Sequence, residues 1–447
     1  MTTSKKSVID KVDLEVGTKP NEGLEMSKAK KYDAIIVGGG HAGLTMAVAL
    51  AKLGFTLAVI SPVKITAKVS DKGDGRALAI SEAPRRMLDL LGIWPRLEGK
   101  YHPMQSVHIL DGHVGDILQD ALLEFNEENS DDKVAVAQVV ESGHLLGAMW
   151  DAAQNEANIE FKIGVKLQDF ERDAHGVSVR LDDGEILQGS MMIAADGRGS
   201  LVRQQLGIKT FGWGYGQTAI VCPVAHEKSH EGAAYEHFYP SGPFASLPLP
   251  DALGPDGAGG EHRSSLVWAE EPDVAAELMM ASEDEFNAEM VKRFGLHLGE
   301  VGLCGERFSY PLGLQIAHEY IADRVVLIGD AAHGIHPIAG QGLNMGLRDI
   351  AVLAEVMVEA RNLGLDFASY TVLNKYQQWR RFDVLSHAAF AEVINRLFSN
   401  DIAPVRFMRD LGLKIVDGLK PVKKFFNDEA SAQSGELPLY LRGEFPS

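Results

Sequence analysis

The hydrophobic pattern divides the chain into alternating strands and helices, a β-rich middle and a helical end. Apolar runs at residues 32–37 and 57–60 have the length of buried strands. The periodic stretch between them, residues 44–53, predicts a helix that ends at Gly54. This order of strand, helix and strand is typical of a nucleotide-binding βαβ unit.

The hydrophobic pattern changes twice along the rest of the chain. Residues 159–195 form short strand-like runs with hairpin signals at 173–176 and 182–184. Short β-type runs separated by turns then dominate residues 211–312, and from residue 343 to about 425 the pattern is nearly all helical. We therefore predict an α/β protein with an inserted, sheet-based second domain.

A glycine motif, GGGHAG at residues 38–43, connects the first strand to the first helix. Gly38, Gly40 and Gly43 fit the dinucleotide fingerprint of tight turn, close approach to pyrophosphate and close helix–strand packing. The acid expected about 20 residues on is missing, and the second strand ends instead at Ser61, which can bond a ribose hydroxyl without charge assistance. The alternative is a glycine-rich turn that only packs the helix on the sheet.

The run GDAAHGIHPIAGQGLN at residues 329–344 is the most informative stretch of the sequence. It follows a strand-like run and leads into a helical pattern at 343–358. Asp330 stands where the strand ends, and Gly340 and Gly342 allow backbone to come close to a flat or anionic group. The helix that follows directs its free N–H groups at that group, so a ligand-binding loop is predicted.

Composition narrows the class of protein. The chain has 447 residues, enough for two or three domains, and contains no apolar run of transmembrane length. A net charge of −19 argues against nucleic acid as a partner. Cys222 and Cys304 lack metal-type spacing and suggest buried thiols in a reducing cytoplasm, so no metal site is expected.

Three motifs in fixed order carry a family resemblance: residues 38–43, Asp196-Gly197 and Gly329-Asp330. Together they resemble the FAD-dependent aromatic hydroxylases of the p-hydroxybenzoate hydroxylase superfamily. More narrowly, the chain is similar to the ubiquinone-biosynthesis hydroxylases of the UbiH/UbiF/VisC group. The narrower resemblance rests on DGRALAIS at 74–81, YPSGP at 239–243 and RRFD at 380–383, and the likeness covers about residues 30 to 415.

The resemblance implies a fold class of α/β with three parts. These are a Rossmann-like FAD-binding domain, an inserted, mostly antiparallel β-sheet substrate domain and a helical C-terminal region. The expected boundaries are a disordered tail at 1–30, the FAD-binding domain at 31–210 and 313–360, the substrate domain at 211–312 and the helical region at 361–447.

The resemblance also implies the residues that hold FAD. Arg76 is expected to contact the cofactor and Asp330 the ribityl chain. Asp196 is expected to bridge FAD and the reducing nucleotide, or else to cap the helix from Ser200, with Arg203 paired to it. The expected cofactor-binding residues are Gly38, Gly40, Gly43, Ser61, Arg76, Asp196, Gly197, Gly329, Asp330, Gly340, Gln341, Gly342, Leu343 and Asn344.

Three residues of the 329–344 run are candidates for catalysis. By resemblance, Pro337 packs against the flavin and shapes the pocket in which oxygen reacts. His333 and His336 are candidate acid/base groups. The alternative is that one histidine caps the loop and the other is structural.

The implied function is NAD(P)H- and O2-dependent hydroxylation of a (poly)prenylated phenol or quinol in ubiquinone biosynthesis, through a flavin hydroperoxide. The expected partners are a lipophilic aromatic molecule, O2 and other quinone-biosynthesis proteins. The expected location is cytoplasmic, and a basic stretch at 405–424 could touch the inner face of the membrane.

Other functions fit the same fold. A related flavin-dependent reductase is one, and a halogenase is another, although the Trp-x-Trp-x-Ile pattern of halogenases does not occur. A catalytically weak flavoprotein scaffold of a quinone-biosynthesis complex is the third, and Ser61 in place of an acid is its sequence hint.

Overall fold

A computed structural model describes residues 31–64, 74–111, 121–126, 135–252, 260–295, 297–335, 340–398 and 437–447. The predicted tail at 1–30 and the basic stretch at 405–424 lie outside these residues. The strands are β1 (Lys31–Val37), β2 (Leu57–Ser61), β3 (Ala77–Ile80), β4 (Tyr101–Met104), β5 (Ser106–Asp111), β6 (Ala121–Asn126), β7 (Ala137–Glu141), β8 (Ile159–Ile163), β9 (Leu167–Arg172), β10 (Val177–Leu181), β11 (Ile186–Ala194), β12 (Thr210–His226), β13 (Ala233–Tyr239), β14 (Gly242–Leu249), β15 (His262–Glu270), β16 (Val301–Leu303), β17 (Phe308–Ala317), β18 (Ile321–Ala322), β19 (Val325–Leu327) and β20 (His333–Gly334).

The helices follow the predicted pattern closely. The helices that begin at His41 and Gly342 directly follow the glycines of the two glycine-rich loops. The α-helices are α1 (His41–Lys52), α2 (Glu82–Leu90), α3 (Ser142–Gln154), α4 (Leu201–Gln205), α5 (Pro272–Met280), α6 (Glu283–Phe294), α7 (Gly342–Asn362), α8 (Tyr370–Phe398) and α9 (Leu439–Arg442), and 3₁₀ turns occupy Trp94–Leu97 and Gly329–Ala331.

The first large sheet is built around five parallel strands in the order β19-β11-β1-β2-β8. Strand β18 pairs antiparallel at the β19 edge, and β9 and β10 form the hairpin predicted from the turn signals. Strands β2 and β19 are buried along their whole length, as expected for parallel strands that helices cover. Helix α1 contacts α3 and α7, and its residues from Gly43 to Ala51 are all buried.

The second large sheet has nine strands in the order β20-β17-β12-β15-β14-β13-β5-β6, with β16 beside β12. All of its pairings are antiparallel except that of β5 with β13. The predicted α/β fold class, with a mostly antiparallel sheet inserted in a nucleotide-binding fold, is confirmed. The sheet also receives β5, β6 and β20 from outside residues 211–312, and the predicted domain boundaries stay a prediction.

One face of the second sheet is covered by α5 and α6. Trp268 and Phe286 pack with ring centroids 5.6 Å apart, and Phe294 lies 6.1 Å from Phe244. The other face looks toward the first sheet, with the small sheet β3-β7-β4 between them at one end. The second sheet therefore lies across the ends of the parallel strands.

The end of the chain returns to the core. The hydroxyl of the buried Tyr440 donates to the carbonyl of Ala49 at 2.9 Å, and Leu441 is also buried. Cys222 is buried and Cys304 is exposed, so the expectation of two buried thiols is wrong for Cys304. Among the described helices, none is both long and apolar enough to cross a membrane.

Candidate active site

The three sequence motifs meet at one edge of the parallel sheet. Val37 pairs with Ala194, and Ala194 pairs with Leu327. Each of these residues ends its strand, and a motif follows within a few residues of each. Because the carboxyl ends of parallel strands share one edge, the loops at 38–43, 195–200 and 328–335 converge there.

The first loop is packed so tightly that it requires glycine at two positions. Gly38 has a φ of +117°, and a Cβ added there would overlap the carbonyl of Ala195. A Cβ at Gly43 would lie 1.8 Å from the carbonyl oxygen of Gly38. The tight turn and the close helix–strand packing predicted for these glycines are therefore present.

Gly40 differs, because a Cβ there would meet nothing within 4 Å. Gly40 is the N-cap of α1, and it supplies no side-chain hydrogen bond to the free N–H groups of the first turn. The first turn also contains no acid. The start of α1 thus presents unpaired donors and a positive dipole end to an open space, as an anion site requires.

Asp196 has one carboxylate oxygen, Oδ1, that is available to a ligand. Its Oδ2 accepts from the backbone N–H of Val202 at 3.2 Å, which supports the first turn of α4. Its Oδ1 is buried and accepts no hydrogen bond from the described residues. The N-cap of α4 itself is Ser200, so the capping alternative holds only in part.

The expected pairing of Arg203 with Asp196 is wrong. Arg203 Nη1 donates to the Ala331 carbonyl at 2.7 Å, and Nη2 donates to the Arg198 carbonyl at 2.7 Å. Arg203 therefore ties the Asp196 loop to the Gly329 loop through backbone oxygens. The planar guanidinium, with donors on two sides, suits this bridge.

A buried carboxylate, Asp349 of α7, organises the third motif. Its Oδ2 accepts from the backbone N–H of Gly329 at 2.8 Å and from His333 Nε2 at 2.7 Å, and its Oδ1 accepts from Arg380 Nε at 2.6 Å. Burial acts to raise the pKa of Asp349, but the charges and hydrogen bonds of His333 and Arg380 hold that pKa below its usual value. This network fixes the turn that presents the exposed Asp330.

His333 is buried within this network, and its contact with Asp349 suits a structural role. Of the two interpretations left open for this histidine, the geometry favours support of the loop over proton transfer to a ligand. His336 and Pro337 lie outside the described residues, and their roles stay predictions.

Arg76 lies at the rim of the same site. Its Nε donates to Asp74 Oδ2 at 2.8 Å, and its guanidinium carbon stands 5.6 Å from the ring centroid of Tyr310. The Tyr310 hydroxyl donates to the Asp74 carbonyl at 2.8 Å. Burial is the main cause that lowers the pKa of His41, and the positive charge of Arg76 lowers this pKa further. The neutral ring of His41 is therefore favoured.

The start of α7 forms the far side of the site. Gly340 has a φ of +65°, and a Cβ there would lie 3.2 Å from the Cβ of Ala79. The buried amide of Asn344 donates to the Ala79 carbonyl at 2.9 Å and accepts from the Ser81 N–H at 3.2 Å. Asn344 therefore ties the helix start to β3, while a Cβ at Gly342 would meet nothing within 4 Å.

Gln341 accepts from the Asn344 amide at 3.3 Å, and Leu343 packs against the core. The donor of Ser61 is already engaged by the carbonyl of Val63 at 3.0 Å, so toward a ribose Ser61 offers only an acceptor. A Cβ at Gly197 would meet nothing within 4 Å, so this backbone can be approached closely.

Sequence reasoning missed Asp349, Asp74 and Tyr310 as supporting residues. Asp349 carries a signal that could have revealed it, since it and Arg348 are the charged residues within the otherwise apolar stretch 345–354 of α7. Asp74 and Tyr310 are 236 residues apart, and nothing local indicates their contact.

The residues present fit FAD. An open helix start suits the pyrophosphate, the orphaned Asp196 Oδ1 can accept from a cofactor hydroxyl, and the start of α7 suits the electron-rich edge of a flavin. Within the described part of the chain, no group of His, Cys, Asp or Glu could hold a metal ion.

Sequence comparison agrees with this geometry, and the chain belongs to the family described as "FAD binding domain", which it matches over residues 31–384. It is 41% identical to ubiquinone hydroxylase UbiL of Rhodospirillum rubrum over 420 residues, covering 93% of this chain and 94% of that protein. It is 32% identical to 3-demethoxyubiquinol 3-hydroxylase of Escherichia coli, covering 87% of this chain and 95% of that protein.

Comparison of folds gives the same architecture. The structure of p-nitrophenol 4-monooxygenase PnpA from Pseudomonas putida superposes with a TM-score of 0.72 at 20% identity, covering 90% of this chain and 98% of that one. At this identity the likeness establishes the fold alone.

Proposed function

We propose that this protein is an FAD-dependent monooxygenase that hydroxylates a prenylated phenol or quinol in ubiquinone biosynthesis, with NAD(P)H and O2 as co-substrates. The observation that carries the proposal is the convergence of all three motifs at one edge of the parallel sheet, on the side that faces small and apolar side chains of the second sheet. Relatives that match nearly the whole chain bear the names of ubiquinone hydroxylases.

The protein's own groups would bind and orient the cofactor. The N–H groups of α1 would hold the pyrophosphate, Asp196 and Asp330 the hydroxyls, and the N–H groups at the start of α7 the pyrimidine edge of the ring. Arg76, anchored by Asp74, would meet a phosphate or ribose at the rim. FAD, when bound, supplies the electron transfer and oxygen activation that no side chain can provide.

The face of the second sheet that looks toward the first sheet would bind the substrate. This face contains four buried apolar residues, Ala219, Val221, Ala269 and Leu312. Apolar walls exclude water and favour an aromatic ring with a lipophilic tail.

Deletion of the gene tests the pathway. We expect the strain to accumulate a prenylated quinone precursor that lacks one ring hydroxyl and to recover mature quinone on complementation. An unchanged quinone profile, in a strain whose other hydroxylases have been removed, would contradict the proposal.

Stopped-flow spectroscopy separates the enzyme from a scaffold. Bound FAD should be reduced by NAD(P)H, and faster when a prenylated phenol is present. FAD that stays oxidised throughout would favour the scaffold instead.

We also propose that the protein meets its lipophilic substrate at a membrane surface and alongside other quinone-biosynthesis proteins. The basic stretch at 405–424 supports the first idea by its charge alone. Removing residues 405–447 is a poor test, because Tyr440 is part of the core. Replacing Lys420, Lys423 and Lys424 with Ala should instead weaken sedimentation with anionic vesicles. Equal sedimentation would contradict the membrane contact, and failure of other pathway proteins to co-purify would contradict the complex.

A further inference from the structure

One carboxyl group, that of Glu236, stands in a row of apolar side chains of the second sheet. Glu236 of β13 is paired with Ala245, Ala245 with Val267, Val267 with Val221, and Val221 with Phe308. Directly paired residues in a sheet point to the same face. Glu236 therefore lies within a row of apolar side chains that crosses the sheet, with four of them on one side and Ile109 of β5 on the other.

This row is on the face that looks toward the cofactor site. At its far end, the ring of Phe308 packs so closely on Gly75 that an added Cβ would overlap it, and Gly75 adjoins Arg76. The strand neighbours of Glu236 point the other way, toward α6. The ring of Tyr235 lies 4.2 Å from that of His297, and the ring of His237 lies 6.1 Å from that of Phe244.

The surroundings of Glu236 are those of a recess. Part of its side chain stays accessible to solvent, yet burial raises the pKa of its carboxyl to about 7. Both statements hold when the group lies at the bottom of a depression rather than on the outer surface. Among the described residues it has no hydrogen bond or ion pair, burial alone acts on its pKa, and its flanking partners Ile109 and Ala245 are apolar.

An acidic group in such a place has a cost for the fold. A carboxylate in apolar surroundings without a donor is destabilising, so an apolar residue would serve the fold better here. The feature is explained if a ligand supplies the donor. The ligand must carry a hydroxyl group and an apolar body that fits the row beside it.

We propose that Glu236 is the residue that receives the phenolic hydroxyl of the substrate and removes its proton. This inference rests on the proposed function. The O–H bond of the phenol breaks, the proton moves to a carboxyl oxygen of Glu236, and the electron pair stays on the ring oxygen. The resulting phenolate ring is a stronger nucleophile toward the electrophilic oxygen that the cofactor supplies. A base that titrates near neutral pH suits this transfer.

Paired probes test the contact without turnover. The FAD-loaded protein is titrated with 2-prenylphenol and with its methyl ether, which has the same shape but no donor, and binding is followed by quenching of tryptophan fluorescence. The wild type should bind the phenol about tenfold more tightly than the ether, because a hydrogen bond to a charged group contributes about 1.5 kcal/mol or more. Glu236→Leu should bind both probes with equal affinity.

A second variant separates hydrogen bonding from proton transfer. Glu236→Gln keeps an acceptor oxygen but cannot take a proton at neutral pH. It should retain part of the preference for the phenol while losing the ultraviolet absorbance of bound phenolate. Glu277→Gln, which alters an exposed carboxyl on α5, is the matched control and should behave as the wild type.

Two results would overturn the inference: a wild type that binds phenol and ether equally, or a Glu236→Leu variant that keeps the tenfold preference. Failure of the proposed function has a different signature. In that case neither the wild type nor a Glu236 variant hydroxylates a prenylated phenol, and no prenylated phenol accelerates the reduction of FAD in either protein. Loss of discrimination in Glu236→Leu with normal FAD content would support the inference independently of turnover.

Discussion

The two glycines of the first loop, Gly43 and Gly40, give a pair of variants that separate the fold from the cofactor. In Gly43→Ala the new Cβ would lie 1.8 Å from the carbonyl oxygen of Gly38, whereas ordinary contacts begin at 3.4 Å. The helix start must therefore move by about 1.6 Å, the difference between these two distances. In Gly40→Ala the new Cβ meets nothing within 4 Å, and the backbone there has a φ of −83° that alanine adopts readily.

The magnitude follows from this overlap. Overpacking costs about 1–3 kcal/mol, and the upper value applies because both neighbours are backbone. With an unfolding entropy of about 2.1 cal/mol/K per residue, 3 kcal/mol corresponds to about 3 °C for 447 residues. Gly40→Ala should lower the melting temperature of the apoprotein by only about 1 °C, because replacing an N-cap glycine with alanine costs about 1 kcal/mol.

The assay is thermal melting of the apoprotein followed by titration with FAD, monitored by flavin fluorescence. We expect Gly43→Ala to melt early and to bind FAD poorly. Gly40→Ala should melt normally but bind FAD at least about tenfold more weakly, because its methyl group occupies the space expected for the pyrophosphate. Unchanged FAD affinity in Gly40→Ala would refute this placement of the cofactor, and unchanged melting of Gly43→Ala would refute the packing.

Three further predictions concern other buried groups. Asp349→Asn should lower the free energy of unfolding in urea by about 3 kcal/mol, since the buried guanidinium of Arg380 loses one of its two carboxylate partners and keeps only Asp383, and a loss below about 1 kcal/mol would contradict the network. For Glu236, burial raises the folded-state pKa from 4.5 to about 7, so the folded state binds more protons and stability falls as pH rises through this window. Glu236→Gln should therefore gain up to about 3 kcal/mol over the wild type at about pH 8 and almost nothing near pH 4.5, and an equal gain at both values would contradict the burial. A thiol reagent should modify the exposed Cys304 in the native protein and reach Cys222 only on unfolding, because burial raises the pKa of Cys222 to about 12; modification of both thiols in the native state would contradict it.

Features that depend on near neighbours in the chain were predictable. The βαβ unit and its glycines follow from apolar runs and spacing within 30 residues, and the structure confirms the strands, the helix and the tight packing at Gly43. The loop from Gly329 into α7 was predictable for the same reason. Its glycines and the helical pattern after it are adjacent in sequence.

Features that depend on distant contacts were not predictable. Strand β5 joins the second sheet by pairing with β13, 127 residues further on, so its place could not be inferred from its own sequence. Arg203 bonds the Ala331 carbonyl rather than Asp196, because the two loops meet only in the folded sheet. Glu236 lies in the middle of β13, and its position beside the cofactor site follows from which face the second sheet turns toward the first sheet.

Transfer of oxygen from O2 to a phenolic ring is the central claim of this account. The direct measurement is a single turnover of the FAD-loaded protein with NAD(P)H, a prenylated phenol and isotopically heavy O2, with the product analysed by mass spectrometry. We predict one added oxygen atom on the ring, carrying the heavy isotope. Consumption of NAD(P)H with release of hydrogen peroxide and recovery of unmodified phenol, for every prenylated phenol tested, would contradict the account.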